Sequence, residues 1–214
     1  MRSIIFATGE FYHIFNRGVD RRKIFLRQGH YARFVATTKR LMKTGSATAG
    51  KLQLGKQTPL KKKLDIICYC LMPNHYHFLV RQRKESGLTE FMHKLNTSYT
   101  KYFNVVGKRT GRLFEYTFKA IRVENDEQLL HLSRYIHLNP LIGNVTTDLR
   151  GYSWSSYPDY AGLVENGFCL KDEILGFYSK KRALRDYERF VLDQVGYARR
   201  LHKIQALTFE NSPG

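Results

Sequence analysis

The amino-acid sequence predicts an α+β fold followed by a basic helical extension. Apolar runs with the two-residue alternation of β-strands recur between segments that have the three- and four-residue spacing of amphipathic helices. The chain has 214 residues, of which 43% are hydrophobic, so it is long enough to bury a full core. The composition changes near residue 160. We therefore expect a main domain over residues 1–160 and an extension over residues 161–214.

A strand and a helix are predicted first along the chain. Residues 11–15 form an apolar, aromatic run, and the turn-forming Asn16-Arg17-Gly18 follows it. His13 on this strand is compatible with a position at the core edge or in a functional site. From residue 31 to residue 42, apolar side chains follow helical spacing. Residues 44–59 contain few bulky apolar side chains, so we expect a loop there.

The centre of the predicted sheet is a hairpin. The β-favouring runs at residues 66–71 and 78–80 are separated by Pro73-Asn74, which is suited to a turn. Because side chains alternate along a strand, His75 and His77 project from the same face. Two imidazoles on one face make half of a metal site and leave positions open for water or substrate oxygen, as a catalytic ion requires.

A long amphipathic helix and another strand follow the hairpin. Apolar residues recur at helical intervals over residues 88–103, and Ser86 or Thr89 is a candidate cap. A basic Gly-Lys-Arg-Thr-Gly turn at residues 107–111 then leads to an alternating aromatic segment. We expect that segment, residues 113–123, to be a strand.

The last helix of the main domain is predicted over residues 126–138. Asn125 is its expected N-cap, Gln128 occupies the capping-box position, and Pro140 is expected to end the helix. The full order is strand, helix, strand, strand, helix, strand, helix. This order predicts a split βαβ, ferredoxin-like antiparallel sheet with its helices on one face and the histidine-bearing strand at its centre. The final helix is an additional element that must pack near the sheet.

Tyr135 and Asn139 are four residues apart, so they share one face of this last helix. A phenol opposite a His-x-His metal has the chemistry for nucleophilic attack on phosphorus, and the amide could complete the coordination of the ion. The plainer interpretations are a core aromatic residue and a helix C-cap. Tyr99 and Tyr102 are rival nucleophiles, although their spacing with apolar neighbours favours core or groove positions.

The three cysteines do not indicate a disulfide framework, because their number is odd and Cys68 and Cys70 lie in an apolar strand. A zinc site combining these two with His75 and His77 is an alternative, although Cys-x-Cys is tighter than the spacing of most structural zinc sites. No signal-peptide core or membrane-spanning apolar run is present. We therefore expect a cytoplasmic protein.

The charge balance indicates a partner with a phosphate backbone. Lys and Arg number 36 against 18 Asp and Glu, which gives a net charge of +18. The extension adds to this charge through a predicted basic helix over residues 180–201, although the helix could serve only to pack against the main domain. A merely basic protein with solvated charge runs is the simpler interpretation. Three basic clusters are candidate DNA contacts: Lys61, Lys62 and Lys63; Lys108, Arg109 and Arg112; and Lys180, Lys181 and Arg182.

Taken together, several motifs resemble the REP-associated tyrosine transposases, which belong to the HUH single-tyrosine, IS200-like transposase superfamily. The resemblance runs from about residue 11 to residue 160. The motifs that carry it are Tyr12-His13, Asn16-Arg17-Gly18, Pro73-Asn74-His75-Tyr76-His77, the basic turn with Leu113-Phe114, Arg134-Tyr135-Ile136-His137-Leu138-Asn139-Pro140, and Trp154-Ser155-Ser156-Tyr157.

The resemblance implies roles for individual residues. By this likeness His75 and His77 are the metal pair, Tyr135 is the nucleophile that forms a 5′-phosphotyrosine, and Asn139 assists the metal. Mg²⁺ or Mn²⁺ would be the cofactor, and single-stranded or hairpin DNA the substrate. Some members of the superfamily build active sites across a dimer, whereas REP-associated relatives can act as monomers. No interface pattern in the sequence decides between the two, and the resemblance slightly favours a monomer.

The chain departs from the family pattern after the basic turn. Where relatives commonly have Gln and Arg, it has Glu115 and Thr117, which puts some DNA contacts in doubt. A function of another class also remains open, since ferredoxin-like sheets with exposed aromatic residues bind single strands by stacking without catalysis. A covalent protein–DNA adduct would distinguish the two functions.

Overall fold

The computed structural model describes residues 5–43, 59–165 and 168–196. Its strands are β1 (Phe11–Arg17), β2 (Leu64–Met72), β3 (His75–Gln82) and β4 (Lys119–Arg122). Its helices are α1 (Gln28–Met42), α2 (Gly87–Val106), α3 (Asp126–Ile142), α4 (Tyr157–Tyr160), α5 (Asp172–Leu175) and α6 (Ala183–Leu192). Most of the loop expected at residues 44–59 and the end of the helix expected at 180–201 lie outside the described residues.

The four strands form one antiparallel sheet in the order β2-β3-β1-β4. This is the strand order of a split βαβ, ferredoxin-like sheet, and it confirms the predicted fold class. Met72 pairs with His75 across the two-residue turn at Pro73-Asn74, as the hairpin prediction requires. The strand that carries the two histidines is therefore central, between β2 and β1.

Helices α1 and α2 cover one face of the sheet. Tyr76, Phe78 and Val80 alternate along β3 and are fully buried in a core that includes Phe34 of α1 and Phe91 of α2. The aromatic rings of this core meet mainly at edge-to-face or tilted angles, the arrangement that aromatic packing favours. These two helices lie on a single face, as the sequence predicts.

Helix α3, the additional element, covers the opposite face. Its Leu129 and Ile136 are buried with Cys68, Cys70 and Leu79 in a second core. The cysteines are free, and burial raises the pKa of the thiols at Cys68 and Cys70 well above the usual value. The central strands are consequently covered on both faces, with the histidines on the α3 side.

Two element boundaries differ from the predictions. β4 spans only Lys119–Arg122. The residues expected to begin this strand, Leu113 and Phe114, lie in an irregular segment and are buried in the first core. That segment makes one isolated bridge, between Phe114 and Gly18. α3 passes through Pro140 and ends at Ile142. A proline removes one helical hydrogen bond, but Pro140 is itself buried, so packing maintains the helix beyond it.

The described part of the extension completes the second core. The Leu170 amide donates to the Ile66 carbonyl at 2.8 Å, which fastens the segment to β2. Tyr187 and Val191 of α6 are fully buried in the core that α3 also lines. α6 begins three residues later than predicted, and the preceding basic residues occupy an exposed turn. None of the helices in the described ranges is long and apolar enough to cross a membrane.

Candidate active site

Three histidines meet where β1 and β3 run side by side. His75 and His77 share the α3-facing side of β3, and their ring centroids are 4.9 Å apart. His13 of β1 adds a third imidazole, with its Nε2 atom 2.9 Å from Nδ1 of His77. The structure therefore places His13 in the site, which the sequence left undecided.

The histidine pair is suited to bind a cation at neutral pH. The amide oxygen of Asn74 lies 2.7 Å from Nδ1 of His75 and can only accept, so Nδ1 carries the hydrogen and Nε2 keeps its lone pair. Burial lowers the pKa of His75 to about 4 and that of His77 well below its usual value. Both rings are neutral at pH 7, the state in which imidazole binds metals.

Helix α3 brings the candidate nucleophile to these rings. The Tyr135 ring lies 5.6 Å from the His77 ring and 6.2 Å from the His13 ring, measured between centroids. Asn139, one turn later, donates from Nδ2 to the Tyr135 carbonyl at 2.8 Å. Burial raises the pKa of the Tyr135 phenol, and a hydrogen bond with Asn139 partly offsets this.

The donor atoms present fit a divalent cation. Nε2 of His77 is buried and has no hydrogen-bond partner, and a buried polar atom without a partner is costly unless something else satisfies it. Asn139 also interacts with the side chain of His75, so two imidazoles and one amide converge. In the described ranges no three His, Cys, Asp or Glu side chains form a metal-binding group. The described residues therefore do not form the alternative zinc site that combines these histidines with Cys68 and Cys70.

The rival tyrosines lie on the other side of the sheet. Tyr99 is fully buried in the first core, and its hydroxyl donates to the Ile24 carbonyl at 2.5 Å. Tyr102 packs edge-on against His30 and beneath the Arg33 guanidinium. Both tyrosines belong to α2, so the sheet separates them from the histidine pair.

The first basic cluster is remote from the histidine pair. Lys61 and Lys62 are exposed, whereas Nζ of Lys63 bonds to Glu90 at 2.7 Å. The cluster directly precedes Leu64, which pairs with Gln82. Gln82 is the last residue of β3, whereas His75 is the first.

The second cluster lies closer to the site. Lys108 and Arg112 are exposed, whereas Arg109 bonds to Oδ1 of Asn104 at 2.8 Å and lies over the Phe103 ring. The Val19 amide donates to the Leu113 carbonyl at 3.0 Å, so this segment adjoins the end of β1 beside His75. In the third cluster, the side chains before α6 are all exposed: Lys180, Lys181 and Arg182.

Local sequence patterns did not reveal the contribution of Arg17 and Asn74. Arg17 lies directly opposite His75 in the β1–β3 register, so both side chains project from the same face. Asn74 bonds to His75 and also donates to the Arg21 carbonyl at 3.3 Å. Gly18 permits this close fold, since a Cβ there would lie 2.3 Å from the Arg22 carbonyl oxygen. Only the inter-strand register reveals these neighbours.

Comparison with known proteins identifies the family and agrees with the fold. A family model described as "Transposase IS200 like" matches residues 11–139. No curated protein has a sequence match to the chain. A solved structure described as a REP-associated tyrosine transposase bound to a REP hairpin has a TM-score of 0.55 and 13% identity, over 78% of this chain and 88% of that one. This similarity supports the fold.

A second solved structure, tRNA(His) guanylyltransferase from Saccharomyces cerevisiae, has a TM-score of 0.40 and 9% identity, over 87% of this chain and 74% of that one. That similarity is too low to support an inference. The family match is different, because it spans more than half of the chain and includes all five side chains of the histidine and tyrosine site: His13, His75, His77, Tyr135 and Asn139. The protein is therefore a member of the IS200-like transposase family.

Proposed function

We propose that the protein is a metal-dependent nickase and strand transferase for single-stranded DNA, with Tyr135 as its nucleophile. The observation that carries this proposal is the position of Tyr135 on α3, beside His77 and within one helical turn of Asn139. A single chain supplies the tyrosine, both imidazoles and the amide. The protein would therefore act as a monomer.

In the proposed reaction, the Tyr135 hydroxyl oxygen attacks a DNA phosphorus atom. A bond forms between this oxygen and phosphorus, the bond to the 3′ oxygen breaks, and a 5′-phosphotyrosine and a free 3′-hydroxyl result. Because partial burial raises its pKa, the phenol holds its proton until the attack occurs. Tyr135 is 46% exposed, so water can accept that proton and can supply one to the leaving 3′ oxygen. Attack by a 3′-hydroxyl on the adduct reverses the step and reseals DNA without ATP.

His75, His77 and Asn139 would hold the Mg²⁺ or Mn²⁺ ion. When bound, the ion would polarise the scissile phosphate and neutralise part of its negative charge. His13 would orient the His77 ring through their 2.9 Å contact, since a metal-binding imidazole is usually fixed by a partner at its other nitrogen.

Hairpin-flanked single strands are the substrate that this proposal favours. The net charge of +18 suits a phosphate backbone, and the structurally similar transposase was solved with a REP hairpin. The proposed contacts are the three basic clusters: Lys61, Lys62 and Lys63; Lys108, Arg109 and Arg112; and Lys180, Lys181 and Arg182. The non-catalytic binder has less support, because helices cover both faces of the central strands and leave no open platform for stacking bases.

The decisive experiment compares three tyrosine variants. Tyr135→Phe removes one oxygen and keeps the ring, so it should abolish the denaturation-resistant protein–DNA adduct formed with single-stranded DNA and Mn²⁺. Tyr99→Phe and Tyr102→Phe should keep adduct formation within roughly tenfold of wild type, about 1.4 kcal/mol in the barrier. Peptide mapping of the adduct identifies the attached residue. DNA on Tyr99 or Tyr102 would show that the nucleophile is on α2, and no adduct in wild type would favour the binder.

A further inference from the structure

A cationic group surrounds one carboxylate beside the histidine pair. Arg17 donates from Nη2 to Oε1 of Glu115 at 3.0 Å, and its Nε contacts the second carboxylate oxygen. The hydrogen bond from Arg17 is the largest cause of the lowered pKa of Glu115, and the charges of Lys119 and Arg21 lower it further. Arg17 therefore binds the carboxylate directly, and the charges of Lys119 and Arg21 act on it from nearby.

This group lies on the face where the proposed chemistry occurs. Arg17 pairs with His75 across β1 and β3, so their side chains project from the same face of the sheet. Lys119 pairs with Phe15, which is two residues before Arg17 on β1, so Lys119 projects from that face as well. Asn74 links the Arg21 carbonyl to His75. A DNA phosphate bound at His75 would therefore lie beside Arg17, the residue paired with His75 across β1 and β3.

We propose that Arg17, Arg21 and Lys119 form a binding site for a DNA backbone phosphate next to the scissile one, and that Glu115 occupies it until DNA displaces the carboxylate. The inference rests on the proposed function and adds a gating residue to it. A guanidinium presents the same two-pronged donor geometry to a carboxylate and to a phosphate, so Glu115 is an internal substitute for the ligand. Arg17 and Arg21 are exposed, which leaves the site open to exchange.

Two matched variants separate this site from a general charge effect. Glu115→Gln removes the carboxylate and releases Arg17. Glu10→Gln removes the same charge and releases Arg122, whose Nη2 lies 2.9 Å from Oε2 of Glu10 at the opposite end of β1. The probe is dye-labelled oligothymidylate, and its binding is measured by fluorescence anisotropy in a Tyr135→Phe background that cannot form the adduct.

Glu115→Gln should tighten binding about two- to fivefold, the range of a surface ion pair. It should also steepen the log–log dependence of affinity on salt by about 0.7, the value of one phosphate contact in a single strand. Glu10→Gln should change both quantities much less. Adding Arg17→Gln should remove the gain from Glu115→Gln, and circular dichroism checks that each variant is folded.

Three results would overturn this inference alone. The first is the absence of any gain from Glu115→Gln, and the second is an equal gain from Glu10→Gln, which would indicate net charge alone. The third is a gain from Glu115→Gln that persists with Arg17→Gln. Adduct formation by the wild-type protein is measured separately. An adduct at Tyr135 combined with any of these results would overturn this inference and leave the proposed function standing, whereas absence of DNA binding would overturn both.

Discussion

At the scale of single residues, the site depends on how the His77 ring is held. Nδ1 of His77 is paired with His13, and Nε2 is buried without a protein partner. Burial lowers the pKa of His13 to about 4, so both imidazoles of this pair are neutral near pH 7. The hydrogen bond between them therefore joins two uncharged rings. One nitrogen is thus fixed and the other left for a ligand.

Replacing His13 tests whether this arrangement serves metal binding. His13→Ala should weaken Mn²⁺ binding about 10- to 100-fold, the usual effect of losing a residue that orients a metal ligand. Isothermal titration calorimetry of the purified protein measures it. His93→Ala is the control, because that histidine is exposed on α2. Equal Mn²⁺ affinity in the two variants would mean that His13 only packs against its neighbour.

The sequence predicted which candidate site residues share a face of one strand or helix, and it left their contacts across the sheet undetermined. The period of two on β3 was enough to place His75 and His77 on one face, and helical spacing placed Tyr135 with Asn139. His13 and Arg17 could not be assigned in this way. Their positions follow from the pairing of β1 with β3, which joins residues at least 58 positions apart and which local periodicity does not encode.

At the scale of elements, hydrogen bonds on its buried side hold helix α3 in place. One side carries Tyr135, and the other buries His137, whose Nδ1 lies 2.7 Å from the Tyr187 hydroxyl of α6 and whose Nε2 lies 2.8 Å from Oγ of Ser156. The Tyr187 hydroxyl also donates to Oγ of Ser133 at 3.0 Å. The extension therefore fixes the helix that carries the candidate nucleophile.

This network predicts a difference between two tyrosines of the extension. Tyr187→Phe leaves Nδ1 of the buried His137 without a partner and removes one of the two bonds of Ser133 Oγ, which still donates to the Leu130 carbonyl. It should therefore lower the free energy of unfolding by about 1–3 kcal/mol. Tyr178→Phe should be neutral or slightly stabilising, since the Tyr178 hydroxyl is buried without a partner. Urea denaturation of both variants measures the difference. Equal loss in the two would show that ring packing alone connects α6 to the core.

The start of α3 was more predictable than its end. Asn125 accepts from the Gln128 amide at 2.8 Å, which confirms it as the N-cap, and the Gln128 side chain accepts from the amide of Glu124, one residue before the cap, at 2.6 Å. These bonds are local, so the sequence encodes them. The end of α3 depends on the burial of Pro140 and Leu141, and burial is a property of the assembled fold.

At the scale of the whole molecule, the first and second basic clusters lie at opposite ends of the covered sheet. Lys61 and Lys62 lie at the end of β3 opposite His75, roughly 23 Å away along seven residues of strand. Lys108 and Arg112 flank the turn that leads to Leu113, beside the end of β1 near His75. Length and composition predicted the charge but not this distribution.

The distribution predicts that DNA length decides which cluster matters. With a short single strand, Lys108→Gln combined with Arg112→Gln should flatten the log–log salt dependence of binding by about 1.4, because each lost phosphate contact removes about 0.7. Lys61→Gln combined with Lys62→Gln removes the same charge and should leave the slope nearly unchanged. With a longer hairpin that spans the sheet, both pairs of substitutions should flatten the slope.

Fluorescence anisotropy over a series of salt concentrations measures each slope. Equal slopes for the two double variants on the short strand would contradict local contacts, because a uniform field of net charge would then account for binding.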